Sequence, residues 1–274
     1  MNYKKLIDAH CVANYALCIM NYALIMNPLL KKHKSVRNFT RRIVDETIIK
    51  DILDASIRAS NTGNMQLYSI ILSTQPKIKE QLFPLHFNQA MVKQAPLVFT
   101  FCADINRFSQ WCKLRGTEPC YDNFLWFSTA LVDTILAAEN AALAAEDAGL
   151  GICFLGTTMY NAEEIASVLK LPKGVVPVVT MVAGYPVELP TGEPTERLPL
   201  DAVVHFETYR KYTDEAIDNY FSEIENLDKM KNFVAENNVN NLAEVFTQVR
   251  YTAHDGATFS QKYLDFVKKS FSII

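Results

Sequence analysis

Residues 33–37 read His33-Lys34-Ser35-Val36-Arg37. In an extended segment His33, Ser35 and Arg37 point to one face, and on a helix residues 33 and 37 still share one. A guanidinium fork, a hydroxyl and a further cation are what a phosphate dianion requires. An ordinary solvated basic turn is the plainer use of the same five residues. Ser60-Asn61-Thr62-Gly63-Asn64-Met65-Gln66 packs amides and hydroxyls into one short stretch. It is either a simple loop or a source of donors and acceptors for a flat heterocycle at a sheet edge. Gln89 alone is an unremarkable exposed glutamine. Arg197 reads as a loop charge, held between prolines.

Other chemistries find little support. Gly149-Leu150-Gly151 looks like the opening of G-x-G-x-x-G, but it ends a helix and enters a strand, the reverse of the dinucleotide fingerprint. No G-x-x-x-x-G-K-[ST] occurs. A phosphate must therefore be held by side chains. Cys11, Cys18, Cys102, Cys112, Cys120 and Cys153 form no C-x-x-C, and no two histidines sit at metal-ligand spacing, so no metal site is expected. The thiols read as reduced core residues of a cytoplasmic protein. No His–Cys or Ser–His pair suggests a protein nucleophile.

The elements that must position these residues follow from periodicity and turn chemistry. Asp45 reads as the N-cap of a helix carrying Ile48, Ile49, Ile52, Leu53 and Ile57 on one stripe, stopping near Ser60. Strands are expected over 67–74, 97–103, 152–155 and 175–182, with Pro177 at a strand start or an edge. A helix over 123–148 carries eight alanines from Ala130 to Ala148, so it can pack closely, at the centre of the fold or at a dimer axis. Further helices are expected over 162–169, 213–226, 240–248 and 258–270, and 185–200 is an ordered loop. The apolar stretch from Ala9 to Leu30 is interrupted by His10, Asn14, Asn21 and Asn27, so a soluble helix over 3–26 is a better reading than a signal peptide or a membrane span.

Composition sets the class. The chain has 274 residues, 49% of them hydrophobic, and a net charge of −3. These are globular values, and the near-neutral balance argues against a nucleic-acid binder. Mixed strands and helices around one central helix give an α+β domain.

Taken in order, HKSVRNF (33–39), ASNTGNMQ (59–66), NQAMVKQAPLVFTFCAD (88–104), GLGICFLGTT (149–158), LKLPKGVVPVVTMVAGYPVE (169–188) and ERLPLDAVVH (196–205) resemble the nitroreductase family. The nearer likeness is to its NADPH-dependent flavin reductase and oxygen-insensitive nitroreductase branch. Residues 242–252 and 259–269 are similar to that branch's C-terminal extension. The resemblance implies an entwined α+β homodimer with a central, mostly antiparallel sheet. Residues 1–28 precede the family's usual start and read as an N-terminal helical extension, and the resemblance implies one FMN-binding domain over 29–274 with a C-terminal helical extension from about 206. Carried over, His33, Lys34, Ser35, Arg37 and Arg197 hold the FMN phosphate end. Ser60, Thr62, Asn64 and Gln66 contact the ring from the partner subunit, Gln89 bonds its pyrimidine edge, and Leu155-Gly156-Thr157 brings backbone N–H groups to it. Lys34 and Thr195 depart from the family pattern, where an arginine and a lysine are usual. The implied activity is two-electron transfer from NADPH or NADH to a small nitroaromatic, quinone or flavin acceptor by a ping-pong mechanism, with Arg250 near the 2′-phosphate of NADPH. The rival is a flavin-binding or redox-sensing protein without turnover.

Overall fold

The computed structural model describes residues 28–188 and 195–273. The helix expected over 3–26 lies outside the described residues. Four strands, β1 (Tyr68–Ser73), β2 (Leu97–Asp104), β3 (Gly151–Leu155) and β4 (Val175–Gly184), form an antiparallel sheet in the order β1-β2-β4-β3. The helices used below are α1 (Glu46–Ser56), α2 (Pro76–Leu85), α3 (Asn106–Leu114), α4 (Phe124–Asp147), α5 (Ala162–Leu169), α6 (Asp214–Glu225), α7 (Asp228–Glu236) and α8 (Ala253–Ser270).

Local chemistry explains most boundaries. Asp45 caps α1 by accepting from the Thr47 N–H at 2.8 Å, as its sequence position predicts. Asn123 caps α4 through the Trp126 N–H at 3.2 Å, and Thr252 caps α8 through the Asp255 N–H at 3.1 Å. The expected helix over 240–248 is instead a short turn, Leu242–Glu244, running into a π-helical turn, Val245–Arg250. Helices α2, α3 and α7 have no counterpart among the sequence expectations. Pro84 hides α2, since proline normally breaks a helix, but here it sits in the last turn. Pro177 lies inside β4 rather than at its start. It faces Cys102 where the β2–β4 register shifts, beyond the stretch of β4 that pairs with β3, so no ladder bond is forfeited to β3.

The sheet is covered on both faces. Phe99, Phe101, Ile152 and Met181 pack on the buried alanines Ala138, Ala141, Ala142 and Ala145 of α4. Val98, Val182, Cys153 and Leu155 pack the other way, on Leu82 of α2 and Ile165 of α5. Alternate residues of one strand thus serve two layers. From the C-terminal end, Phe266, Val267 and Phe271 join Phe127, Val176 and Val178 in a third cluster. Leu125, Val132 and Leu136 lie on the side of α4 opposite the alanines and remain exposed. Among the described residues no helix is long and apolar enough to cross a membrane.

The segment 35–40 is extended and laid along this sheet. Ser35 bridges Ile152 in parallel, the Val36 N–H donates to the Ile152 carbonyl at 2.8 Å, and the Thr40 N–H donates to the Tyr185 carbonyl at 2.8 Å. Two glycines permit the approach. A Cβ at Gly151 would lie 2.5 Å from Val36, and one at Gly184 would lie 2.4 Å from Pro96 and 3.2 Å from Phe39. Gly151→Ala should therefore lower stability by about 1–3 kcal/mol, the usual cost of overpacking. Gly156→Ala, where a Cβ would meet nothing within 4 Å, should change it little. Thermal unfolding of the two variants checks this; equal effects would show that the close approach at Gly151 does not constrain the segment.

Candidate functional site

Pinning the 35–40 segment sorts its side chains. Val36 and Phe39 are buried, while Ser35 and Arg37 are exposed and line a cleft of about 880 Å³. Lys34, Arg41 and Lys93 also line it, against one carboxylate, Glu188. Lys93 is engaged, 2.6 Å from Glu80 and 4.1 Å above the Phe83 ring. Arg37 and Arg41 make no hydrogen bond or ion pair among the described residues. Cationic donors held open on a fixed backbone are an anion site. Cys153 lies behind the cleft; burial pushes its thiol up against the opposing influence of Arg37 and Ser35, which keeps it protonated.

Two residues expected at the phosphate end lie elsewhere in the single chain. His33 Nδ1 is 2.7 Å from Glu146 Oε1, in the last turn of α4. Burial raises the Glu146 pKa and His33 opposes that rise. Arg197 is exposed and donates to the carbonyl of Thr195 at 3.0 Å, and neighbouring Glu196 pairs with Lys229 at 2.6 Å. Neither His33 nor Arg197 lines the cleft. Arg41 and Lys93, which do, are not marked by their own spacing: Lys93 sits within the 88–104 segment as an ordinary charge, and Arg41 lies past the 33–39 segment.

The loop 60–66 is fixed from beneath. The buried Asp133 carboxylate on α4 accepts from the Thr62 N–H at 3.0 Å, the Thr62 hydroxyl at 3.2 Å and the Leu67 N–H at 3.4 Å. Asn64 and Gln66 both adopt left-handed backbone, with φ of 56° and 53°, as does Gly63. Such conformations cost energy for side-chain-bearing residues, and here the Asp133 anchor, together with Arg107 donating to the Gln66 and Tyr68 carbonyls, holds them. Ser60 and Asn64 are exposed. No hydrogen bond among the described residues joins this loop to the cleft.

Gln89 and Thr157 do meet. Gln89 Nε2 lies 3.5 Å from Thr157 Oγ1, and both residues are half-buried. Thr157 follows Leu155, the buried end of β3, and Gly156, which is exposed. Ile152, which backs Ser35, is five residues before Thr157, so the two ends are at most about 17 Å apart along the chain. Behind the pair stands His86, fully buried at the end of α2, with Nδ1 2.9 Å from Thr157 Oγ1. Sequence reasoning passed over His86. Its one signal is its place three residues before Gln89. Burial lowers its pKa to about 4, so the ring is neutral near pH 7.

Arg250 borders a separate cavity of about 340 Å³ with Phe87, Tyr160 and Phe259. Its guanidinium carbon is 4.4 Å above the Phe233 ring. Of the described cysteines Cys102, Cys112 and Cys153 are buried, as expected for core thiols, and Cys120 alone among them is exposed.

The Nitroreductase family profile matches residues 30–185. This chain belongs to the nitroreductase family. Two curated relatives agree: an FMN reductase (NADPH) of Bacillus subtilis is 35% identical over 185 residues, 67% of this chain and 74% of that protein. An oxygen-insensitive NADPH nitroreductase of Salmonella typhimurium is 34% identical over 192 residues, 70% of this chain and 78% of that protein. The crystal structure of a Bacteroides fragilis protein superposes with a TM-score of 0.88 at 40% identity, covering 90% of this chain and 100% of that one. The α+β nitroreductase fold expected from the sequence is the fold observed.

In this nitroreductase the buried His86 gives a pH signature. The unfolded histidine takes up its proton near pH 6.5 and the folded one near 4, so between these values the unfolded state binds more protons and stability falls with the pH. The full loss attributable to His86, reached below about pH 4, is about 3 kcal/mol. Denaturant unfolding from pH 7 to 4 should show a shallower fall in His86→Asn than in the native chain. Parallel profiles would contradict the neutral buried ring.

Proposed function

We propose that this chain is an FMN-dependent oxidoreductase that passes two electrons from NAD(P)H to a nitroaromatic, quinone or flavin acceptor in ping-pong order, within the cytoplasm. The observation that carries the reading is the pairing of the open, cationic Ser35–Arg37 cleft with the half-buried Gln89–Thr157 edge on a single strand-linked frame, in a nitroreductase whose curated relatives are described as NADPH-dependent reductases.

The residues present fit the cofactor. Ser35 and Arg37 offer a hydroxyl and a charged fork for a phosphate, and Lys34 and Arg41 add positive charge there. At the other end Gln89 and Thr157 offer an amide and a hydroxyl to a heterocycle edge, beside the uncrowded Gly156. When bound, the flavin supplies the redox chemistry, and the protein supplies binding, orientation and electrostatics. Backbone N–H donors at Leu155-Gly156-Thr157 stabilise negative charge at that edge. His33 and Arg197 join the phosphate grip only on leaving Glu146 and the Thr195 carbonyl, and Arg250 contacts NADPH from its own cavity.

The active form is a homodimer. Exposed Leu125, Val132 and Leu136 on α4 form an apolar stripe opposite the alanine face, and Leu200 and Val203 add exposed apolar surface before α6. Burying both against a second copy offsets the cost of exposing them. The partner's copy of the loop carrying Ser60, Thr62, Asn64 and Gln66 then approaches the ring, which accounts for its separation from the cleft within one chain. Residues 29–274 act as one domain, with 206–274 as its helical extension.

Three outcomes test this. The purified protein should carry one FMN per chain, bleach with NADPH and recolour with menadione; a yellow protein that fails to bleach would favour a binding or sensing role. Arg37→Ala should weaken FMN by about 1.5–3 kcal/mol, as for a charged hydrogen bond, and leave riboflavin affinity unchanged. Equal losses would mean that Arg37 acts through folding. Val132→Glu with Leu136→Glu should yield a 31.0 kDa particle by light scattering in place of a dimer; a persistent dimer would place the interface elsewhere.

A further inference from the structure

His86 is buried, titratable and unused by the chemistry described so far. Its Nδ1 is 2.9 Å from Thr157 Oγ1, and its Nε2 is buried with no hydrogen-bond partner among the described residues. A neutral ring has one proton to place. On Nε2 it would be an orphaned N–H donor, the rarer and costlier defect; on Nδ1 it leaves a bare lone pair at Nε2 and donates to Thr157.

That choice propagates. The Thr157 oxygen accepts from His86 and is approached by Gln89 Nε2 at 3.5 Å. Its own hydrogen finds no acceptor among the described residues and is left for a ligand. The Gln89 amide, with its nitrogen toward Thr157, keeps its carbonyl oxygen for a ligand's N–H.

The turn between His86 and Gln89 is built to hold this spacing. Phe87 and Asn88 are both left-handed, with φ of 53° and 55°, an unfavourable state for a bulky aromatic. Such strain persists where the surroundings over-determine it. Here the Asn88 N–H donates to the Phe83 carbonyl at 3.1 Å, the Gln89 N–H donates to the His86 carbonyl at 3.2 Å, and the Phe87 ring is 6.0 Å from Tyr160 and 5.9 Å from Phe259 of α8.

We propose that His86 is a positioning residue that makes the Thr157 hydroxyl a hydrogen-bond donor and, with Gln89 as the adjacent acceptor, sets this edge to read a carbonyl beside an N–H, the pattern of an imide ring. The inference rests on the flavin reading, since the pyrimidine edge of a flavin is such an imide.

The test is flavin affinity of the reconstituted full-length protein, measured by fluorescence quenching with FMN and with riboflavin. His86→Leu should weaken both flavins by the same factor, about tenfold, as for one hydrogen bond misdirected at a half-buried edge. His86→Asn, whose side-chain N–H reaches the Nδ1 position, should stay within about threefold of native on the same grounds. In a Thr157→Val background His86→Leu should cost nothing further, because the residue it acts through is gone. Additive losses, an Asn variant as weak as the Leu variant, or a loss confined to FMN would each overturn the proposal. If His86→Leu does not fold, His86→Gln replaces it. Its amide reaches the Nε2 end, so it should bind several-fold more weakly than His86→Asn, and equal affinities would overturn the proposal. If the native chain binds neither flavin, the cofactor reading itself fails, and this inference falls with it.

Discussion

A stretch of six residues must lie flat against the edge of an antiparallel sheet, and the site depends on that constraint. Ser35 to Thr40 can do so because Gly151 and Gly184 lack a Cβ where Val36, Phe39 and Pro96 press in. Once the backbone is tied to Ile152 and Tyr185, its side chains are sorted. Val36 enters the core between Ser35 and Arg37, which face the cleft as strand alternation requires, and Phe39, across a break in that alternation, packs into the core beside Gly184. A charge presented by a pinned strand loses little freedom on binding, whereas the same arginine on a mobile loop would have to be ordered by its ligand.

The second end of the site relies on the same strand. β3 carries Ile152 beside Ser35 and delivers Thr157 beyond its last residue, so the two ends keep a fixed separation. α4 serves both sides: its alanines let it approach the sheet, its buried Asp133 anchors the 62–67 backbone, and its outer face carries the apolar stripe. Small side chains inward and large ones outward explain the helix's low amphipathic contrast, because both faces are apolar.

Much of this was legible in the sequence. The strands are right to within two residues at each end, since apolar runs bounded by turn residues leave few alternatives. The Asp45 cap was readable for the same local reason. What was not legible was non-local or masked by a misleading signal. α2 was hidden by Pro84, and the exposure of Cys120 depends on how the chain passes from α3 to α4. Within the site, Ser35 and Arg37 were found by alternation, and Gln89 and Thr157 by resemblance. His86 was not, because a buried histidine identifies itself through its partner, 71 residues away. His33 and Arg197 stand apart from the cleft in one chain, and nothing in their spacing signals a pairing with Glu146 or a turn back to Thr195.

The central claim is that one strand-linked frame holds an anionic end at Ser35 and Arg37 and a planar, imide-like end at Gln89 and Thr157. A crystal structure of the chain reconstituted with FMN measures this directly. The account predicts the phosphate within hydrogen-bond reach of Ser35 Oγ and the Arg37 guanidinium, with the pyrimidine edge on Gln89 and Thr157 of the same chain. A phosphate bound away from Ser35 and Arg37, or a ring edge that meets neither Gln89 nor Thr157, would contradict it.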